Sequence, residues 1–216
     1  MKLVYFNGRG LAETSRLILK LNNINFEDFR YPLEVKDWKN HIMVKEEFDN
    51  DKKNNKLLNS LNKVPYLHLD DGKILCQSKS IERYLAKKYN MMGSNLEEEA
   101  LIDSITECIR DFKDIYHKVK RENDNEELIK FYNETLTEKW KLLENILCLE
   151  SDSHSVGKKI SLADLVIFSF ITDYFDDKQS ILKSINNSQK IKNIIKNINE
   201  NENIKMWLEN RPKTVF

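Results

Sequence analysis

Residues 161–175, SLADLVIFSFITDYF, read as a helix that is apolar on nearly every side. A helix with a single apolar stripe lies on a surface, whereas one apolar all round must be enclosed by other elements. Any fold for this chain therefore needs a layer of helices thick enough to surround it. Ser161 and Asp164 stand at the spacing of an N-terminal capping box, which fixes where that helix begins. The surrounding sequence supplies partners. Leu101, Ile105, Cys108, Phe112, Ile115 and Val119 step by four and three, and Ile129, Tyr132, Leu136, Trp140, Leu143 and Leu147 repeat the pattern. From about residue 96 the period is helical throughout, predicting an all-α domain over 96–216.

The first 89 residues follow another rhythm. KLVYF predicts a strand, GLAETSRLILKLNN a helix with Leu17, Ile18 and Leu21 on one face, and NFEDFRY a second strand. VPYLHLDDGKILC predicts a hairpin turned at Asp71-Gly72, and a helix from Ser78 to Lys88 closes the unit. This order fits a small mixed sheet covered by helices, so the expected fold class is an α/β N-terminal domain followed by a helical bundle. Residues 44–62 are rich in Asn and Lys with almost no apolar anchor before Leu57, and are expected to be a mobile surface insertion. Residues 186–203 share the bias but keep Ile191, Ile194, Ile195 and Ile198 at helical spacing, which predicts a surface helix.

Lys and Arg total 35, as do Asp and Glu. A balanced charge argues against nucleic acid as the partner, since phosphate binding needs a basic face. No apolar run is long enough to span a bilayer or to serve as a signal core, so a cytoplasmic protein without membrane association is expected. Cys76, Cys108 and Cys148 are few and far apart, as in a reducing compartment. His41, His68, His117 and His154 lack metal-ligand spacing, and no metal is expected.

Taken singly, the candidate functional residues all have ordinary readings. Tyr5 is an aromatic in a strand, Trp38 a buried anchor, Ser78 a helix cap and Asp111 a solvated charge. Val64-Pro65 is more specific. Proline at the head of a strand leaves the preceding backbone free to pair with an extended peptide. A helix start at Gln77-Ser78 beside it would offer N–H donors to a carboxylate. Together they outline a slot for a short anionic peptide.

These residues resemble the signature of the cytosolic glutathione S-transferases, most closely the sigma class that includes haematopoietic prostaglandin D synthase. LVYFNGRGLAE is similar to the opening strand and first helix, VPYL to the cis-proline turn, and LCQSKSIERYLAKKY to the Gln-Ser helix start. SLADLVIF resembles the capped core helix and WLENRPKT the C-terminal segment. The resemblance implies a thioredoxin-like domain over 1–89, a helical domain over 96–216 carrying the electrophile pocket and dimer contacts, and a homodimer. It implies glutathione as cosubstrate, with Tyr5 as the catalytic hydroxyl on its sulfur. Trp38 would contact its glycyl end, and Val64, flanked by Asn62 and Lys63, its cysteinyl backbone. Gln77 and Ser78 would hold the γ-glutamyl carboxylate, and Asp111 of the other subunit the γ-glutamyl ammonium. The implied reaction is conjugation of glutathione to small hydrophobic electrophiles. Isomerisation of a prostaglandin endoperoxide to the D series is the alternative, as is a binding or structural role without catalysis.

The resemblance has gaps. Leu11 stands where the sigma-class helix often carries arginine, and Ile42 where the family has lysine, with Lys39 and His41 as substitutes. The stretch from Trp38 to Pro65 is about twice the expected length, and filler is the reading preferred for it. Glu107, Arg110 and Asp111 occupy the place of an acidic cluster, and Arg110 spoils it for a cation. NGRG has no cysteine at the strand–helix junction, which disfavours dithiol chemistry.

Overall fold

The computed structural model describes residues 1–37, 42–122, 124–147 and 151–214. The chain divides into two units, one comprising Met1–Leu85 with the stretch from Glu209 onward, the other Ala86–Leu208.

In the first unit, β1 (Lys2–Phe6) leads through a tight loop into α1 (Glu13–Leu21), and β2 (Glu27–Tyr31) follows. A small antiparallel ribbon, β3 (Glu34–Asp37) with β4 (Ile42–Val44), precedes α2 (Glu46–Lys53). The main sheet is completed by β5 (Tyr66–His68) and β6 (Ile74–Cys76), and α3 spans Ser78–Lys88. Strand order is β2-β1-β5-β6, with β1 parallel to β2 and antiparallel to β5. The central position of β1 explains its composition. Leu3, Val4 and Tyr5 are all buried, so the strand is apolar on both faces rather than alternating.

Two expectations for this unit need correction. At the hairpin only Gly72 has a positive φ (+85°); Leu69 N–H bonds to the Lys73 carbonyl across a three-residue loop. One glycine thus turns the chain, not an Asp-Gly pair. Residues 44–62 carry regular structure where a loose surface stretch is expected. They form the end of β4, α2 and a short 3-10 turn, anchored by Phe48 (5% exposed) as well as Leu57 (3%). A single well-placed aromatic fixes a helix that composition marks as loose.

The second unit is helical. It comprises α4 (Leu96–Glu122), α5 (Asn125–Lys130), α6 (Leu136–Glu144), α7 (Leu162–Asp173), α8 (Lys178–Ser184) and α9 (Gln189–Glu200); α10 (Glu202–Asn210) runs into the stretch assigned to the first unit. As expected, α7 is the enclosed helix, with Leu162–Ile171 buried and α4 and α9 packed on it. Both halves of its capping box form: Asp164 N–H donates to Ser161 Oγ and Ser161 N–H to Asp164 Oδ2. The α9 expectation holds, with Ile191, Ile194 and Ile198 buried.

The seam on α4 is rotated from its expected place. Ile102, Ile105, Thr106, Ile109, Phe112 and Tyr116 are buried, while Leu101, Cys108, Ile115 and Val119 lie at the margin. Between α5 and α6 the chain makes a π-helical turn over Phe131–Thr135. The wider turn shifts the helical phase, which leaves Ile129 60% exposed while Tyr132, Leu136 and Trp140 stay inside.

Left-handed backbone recurs at Asn23, Asn55, Asn62 and Asn90, and at Leu61 and Gln77. Asparagine tolerates that region better than other residues with a Cβ, because its short amide bonds locally.

Candidate active site

Strand register brings the first-unit candidates to one end of the main sheet. Val4 lies opposite Tyr66, and Tyr66 opposite Cys76. Tyr5 follows Val4, Val64-Pro65 precedes Tyr66, and Gln77-Ser78 follows Cys76. Three adjacent strands therefore each end in a candidate. Val64-Pro65 is a cis peptide bond. Trp38 lies outside the described residues, as do Lys39 and His41. Asp111 is exposed on α4, in the second unit.

Tyr5 is 9% exposed, and its hydroxyl oxygen accepts the Leu11 N–H at 3.2 Å. Burial raises its pKa above 10.0, a rise opposed in part by that hydrogen bond and by the Arg16 charge. The phenol is therefore neutral at physiological pH and keeps a proton to donate. An oxygen that already accepts an N–H is the better donor for it, since linked hydrogen bonds polarise one another.

The loop that presents Leu11 is held from below by Arg16, a fully buried arginine on α1. Its Nη1 donates to the Gly8 carbonyl at 2.7 Å and to Glu13 Oε2 at 3.1 Å, and its Nε to Asp28 Oδ1 at 3.0 Å. Arg30 shares Asp28, and Arg211 shares Glu13. The guanidinium carbon lies 6.0 Å from the Tyr5 ring centroid. Sequence reasoning passed over Arg16, though the signal was there: a charged residue beside Leu17 and Ile18 on the buried face of a helix. Leu11 supplies only its N–H, and its side chain is 52% exposed. The cation near the tyrosine comes from Arg16, not from the Leu11 position.

Gly10 fits against Tyr5 so closely that a Cβ would sit 2.6 Å from the hydroxyl, and its φ is +39°. Gly10→Ala therefore collides with a buried ring and takes a left-handed backbone that alanine disfavours. We expect a loss of about 1–3 kcal/mol, read as a thermal midpoint lower by about 2–12 °C. An unchanged midpoint would show that the loop yields and that the contact carries no constraint.

The other two walls are backbone. Leu61 and Asn62 are both left-handed, with φ of 57° and 54°. Such a conformation costs roughly 1–2 kcal/mol per residue with a Cβ. Asn62 Oδ1 is buried without a hydrogen-bond partner among the described residues. Gln77 has a φ of 72°, and its carbonyl accepts the Ile81 N–H at 3.0 Å as the first bond of α3. Strained backbone and an unsatisfied buried acceptor at one sheet end are features that concentrate at binding sites. Cys76 is next to Gln77, and burial pushes its thiol pKa up, the direction that disfavours a thiolate. Among the described residues no group of three His, Cys, Asp or Glu side chains could hold a metal, and no helix is long and apolar enough to cross a membrane.

A family model for the glutathione S-transferase N-terminal domain matches residues 1–87, and one for the glutathione S-transferase C-terminal domain matches 108–211. The chain is similar to glutathione S-transferase 3 of Caenorhabditis elegans, at 31% identity over 100% of this chain and 98% of that one. It is also similar to haematopoietic prostaglandin D synthase of Gallus gallus, at 30% identity over 99% of this chain and 97% of the relative. Among solved structures it resembles monomeric Na-GST-3, a glutathione S-transferase of the hookworm Necator americanus. There the TM-score is 0.80 and the identity 30%, covering 100% of this chain and 98% of that one.

Proposed function

Because the chain belongs to the glutathione S-transferase family and is a glutathione transferase, we propose that Tyr5 keeps the sulfur of bound glutathione ionised for attack on a small hydrophobic electrophile. The observation that carries this reading is the Tyr5 hydroxyl, neutral, held by Leu11 N–H and placed at the sheet end shared by two ligand-ready backbone segments.

Dimensions support the assignment of the slot. Adjacent strands are ~4.8 Å apart, so Tyr5 on β1 and Gln77 beyond β6 are separated by two such steps, ~10 Å. In glutathione the extended path from the cysteinyl sulfur through the γ-linked glutamyl chain to its α-carboxylate is roughly 10 Å. Glutathione fits with its sulfur at Tyr5, its cysteinyl backbone along Val64 and its γ-glutamyl carboxylate at Gln77 and the start of α3. Asn62 Oδ1 and Lys63 flank that path, and Trp38 takes the glycyl end.

A free thiol titrates near ~8.5, and lowering that by two units needs ~2.7 kcal/mol in favour of the thiolate. One hydrogen bond to a charged acceptor supplies ~1.5–3 kcal/mol. The Tyr5 O–H is thus sufficient in magnitude. The thiol proton leaves to solvent, the sulfur lone pair forms the C–S bond, and the leaving group departs with the bonding electrons.

The pH dependence tests this reading. With its pKa raised by burial, Tyr5 stays protonated through the working range, so kcat/KM for the electrophile at saturating glutathione should rise along one limb and then stay level. That limb belongs to bound glutathione and should lie roughly two units below the free thiol. The thiolate absorbance of the complex, followed by titration, gives the same value directly. A limb at the free-thiol position, or a fall in rate between about pH 8 and 9.5, contradicts the assigned role.

Asp111 on α4 would meet the γ-glutamyl ammonium of a second subunit, which makes the homodimer part of this proposal, as are the sigma-class assignment and the cytoplasmic location. The 30% identity to the chicken prostaglandin D synthase favours one second reading, isomerisation of a prostaglandin endoperoxide. Product analysis separates the two reactions: an isomer containing no sulfur supports the second, a thioether the first.

A further inference from the structure

The long segment between the ribbon and β5 connects to the proposed glutathione slot in two ways. The first is through side chains. Asp51, near the end of α2, accepts the Tyr31 O–H at Oδ2 (2.9 Å) and Lys56 Nζ at Oδ1 (2.8 Å). Tyr31 and Tyr66 lie in one buried cluster against which Val64 packs, and Tyr66 is the residue after the cis proline. Phe48, one turn earlier on α2, packs edge-on against Tyr31 at 5.5 Å and Phe6 at 5.1 Å, and Phe6 neighbours Tyr5.

The second connection is through backbone. The Leu57 carbonyl takes Ser60 N–H, Ser60 O–H and Asn62 N–H, at 3.0, 2.9 and 2.9 Å, and the Ser60 carbonyl takes Lys63 N–H at 3.1 Å. These bonds impose the left-handed pair Leu61-Asn62, a conformation that persists only where its surroundings over-determine it. Leu57 is itself buried in the cluster formed by Phe48, Tyr31 and Tyr66.

We infer that this segment is a clamp on the wall of the glutathione slot, with Asp51 as the positioning residue that sets Asn62–Val64 for the tripeptide. Asp51 acts through Tyr31 and the cluster, not by touching substrate. The clamp governs affinity for glutathione and leaves the chemical step alone, because Tyr5 is held separately by Arg16 and Leu11. This rests on the glutathione reading above.

The test uses Asp51→Ala and Tyr31→Phe in the full chain, with Asp51→Asn as the conservative variant and Lys56→Ala as a surface control. Glutathione is titrated calorimetrically, kcat is measured at saturating glutathione, and amide exchange is followed at Asn62 and Lys63. Asp51→Ala and Tyr31→Phe should each weaken glutathione binding about 5-fold, the worth of one hydrogen bond. Their kcat should hold, and exchange at the two amides should rise about tenfold. Asp51→Asn keeps a carbonyl acceptor for Tyr31 and should restore both readouts; Lys56→Ala should leave both unchanged. Combining Asp51→Ala with Tyr31→Phe should add nothing to either alone. If Asp51→Ala fails to fold, Tyr31→Phe still decides. Unchanged exchange, or faster exchange with unchanged affinity, overturns the clamp while the transferase reading stands. Failure of the wild-type protein to bind glutathione overturns the transferase reading instead, and is visible before any variant is made.

Discussion

Tyr5→Phe should lower kcat/KM for chlorodinitrobenzene by about 10- to 150-fold, the value of one hydrogen bond to a charged group. The substitution removes a single oxygen. The ring keeps its place between β1 and the loop, so the fold and the backbone walls at Asn62–Val64 and Gln77 persist. Below about pH 6.5, where bound glutathione is largely the neutral thiol, its affinity should therefore stay within about 3-fold; at higher pH binding weakens further as the lost thiolate stabilisation counts. The second readout is the pH profile, whose rising limb should move upward toward the free thiol value of ~8.5. The rate deficit should then shrink at alkaline pH, where the sulfur ionises unaided. A uniform deficit at every pH would mean that the hydroxyl acts on the electrophile or on folding, not on the sulfur. An unchanged rate would remove Tyr5 from the mechanism altogether.

Asp164→Ala should have the largest effect on stability. Asp164 is fully buried, and its carboxylate accepts Ser155 N–H at 2.6 Å, Ser161 N–H at 2.7 Å and Ser161 O–H at 2.8 Å. Alanine leaves two buried backbone donors without acceptors, at about 1–3 kcal/mol each. It also releases the start of α7, around which the second unit is built. We expect a loss of about 3–5 kcal/mol, equivalent to a thermal midpoint lower by about 6–20 °C. Asp164→Asn keeps one oxygen acceptor and should recover part of the loss. A loss below about 1 kcal/mol would mean that the loop before α7 rearranges to satisfy its own amides, and would reduce the box to an ordinary cap.

These two sites mark what the sequence made legible. The capped helix could be read outright, because an all-round apolar segment and a Ser-x-x-Asp spacing both constrain position. Tyr5, Val64 and Gln77 became a candidate site only through order along the chain; register then showed that three neighbouring strands end together. The α4 seam was misplaced because Leu101 and Ile115 match a four-three step as well as Ile102 and Ile109 do, and only the packed neighbours choose between them. Phe48 was missed for the opposite reason. One aromatic among Glu, Asp and Lys has no periodicity to reveal it, yet it holds α2. Arg16 was hidden by its type, since a buried arginine is read as solvated until its partners Gly8, Glu13 and Asp28 are seen.

The four asparagines with left-handed backbone carry one further consequence. The chain has only five glycines among 216 residues, so sharp reversals that glycine commonly supplies fall instead to a side chain this protein has in abundance. Its abundant asparagine is thus put to work at bends.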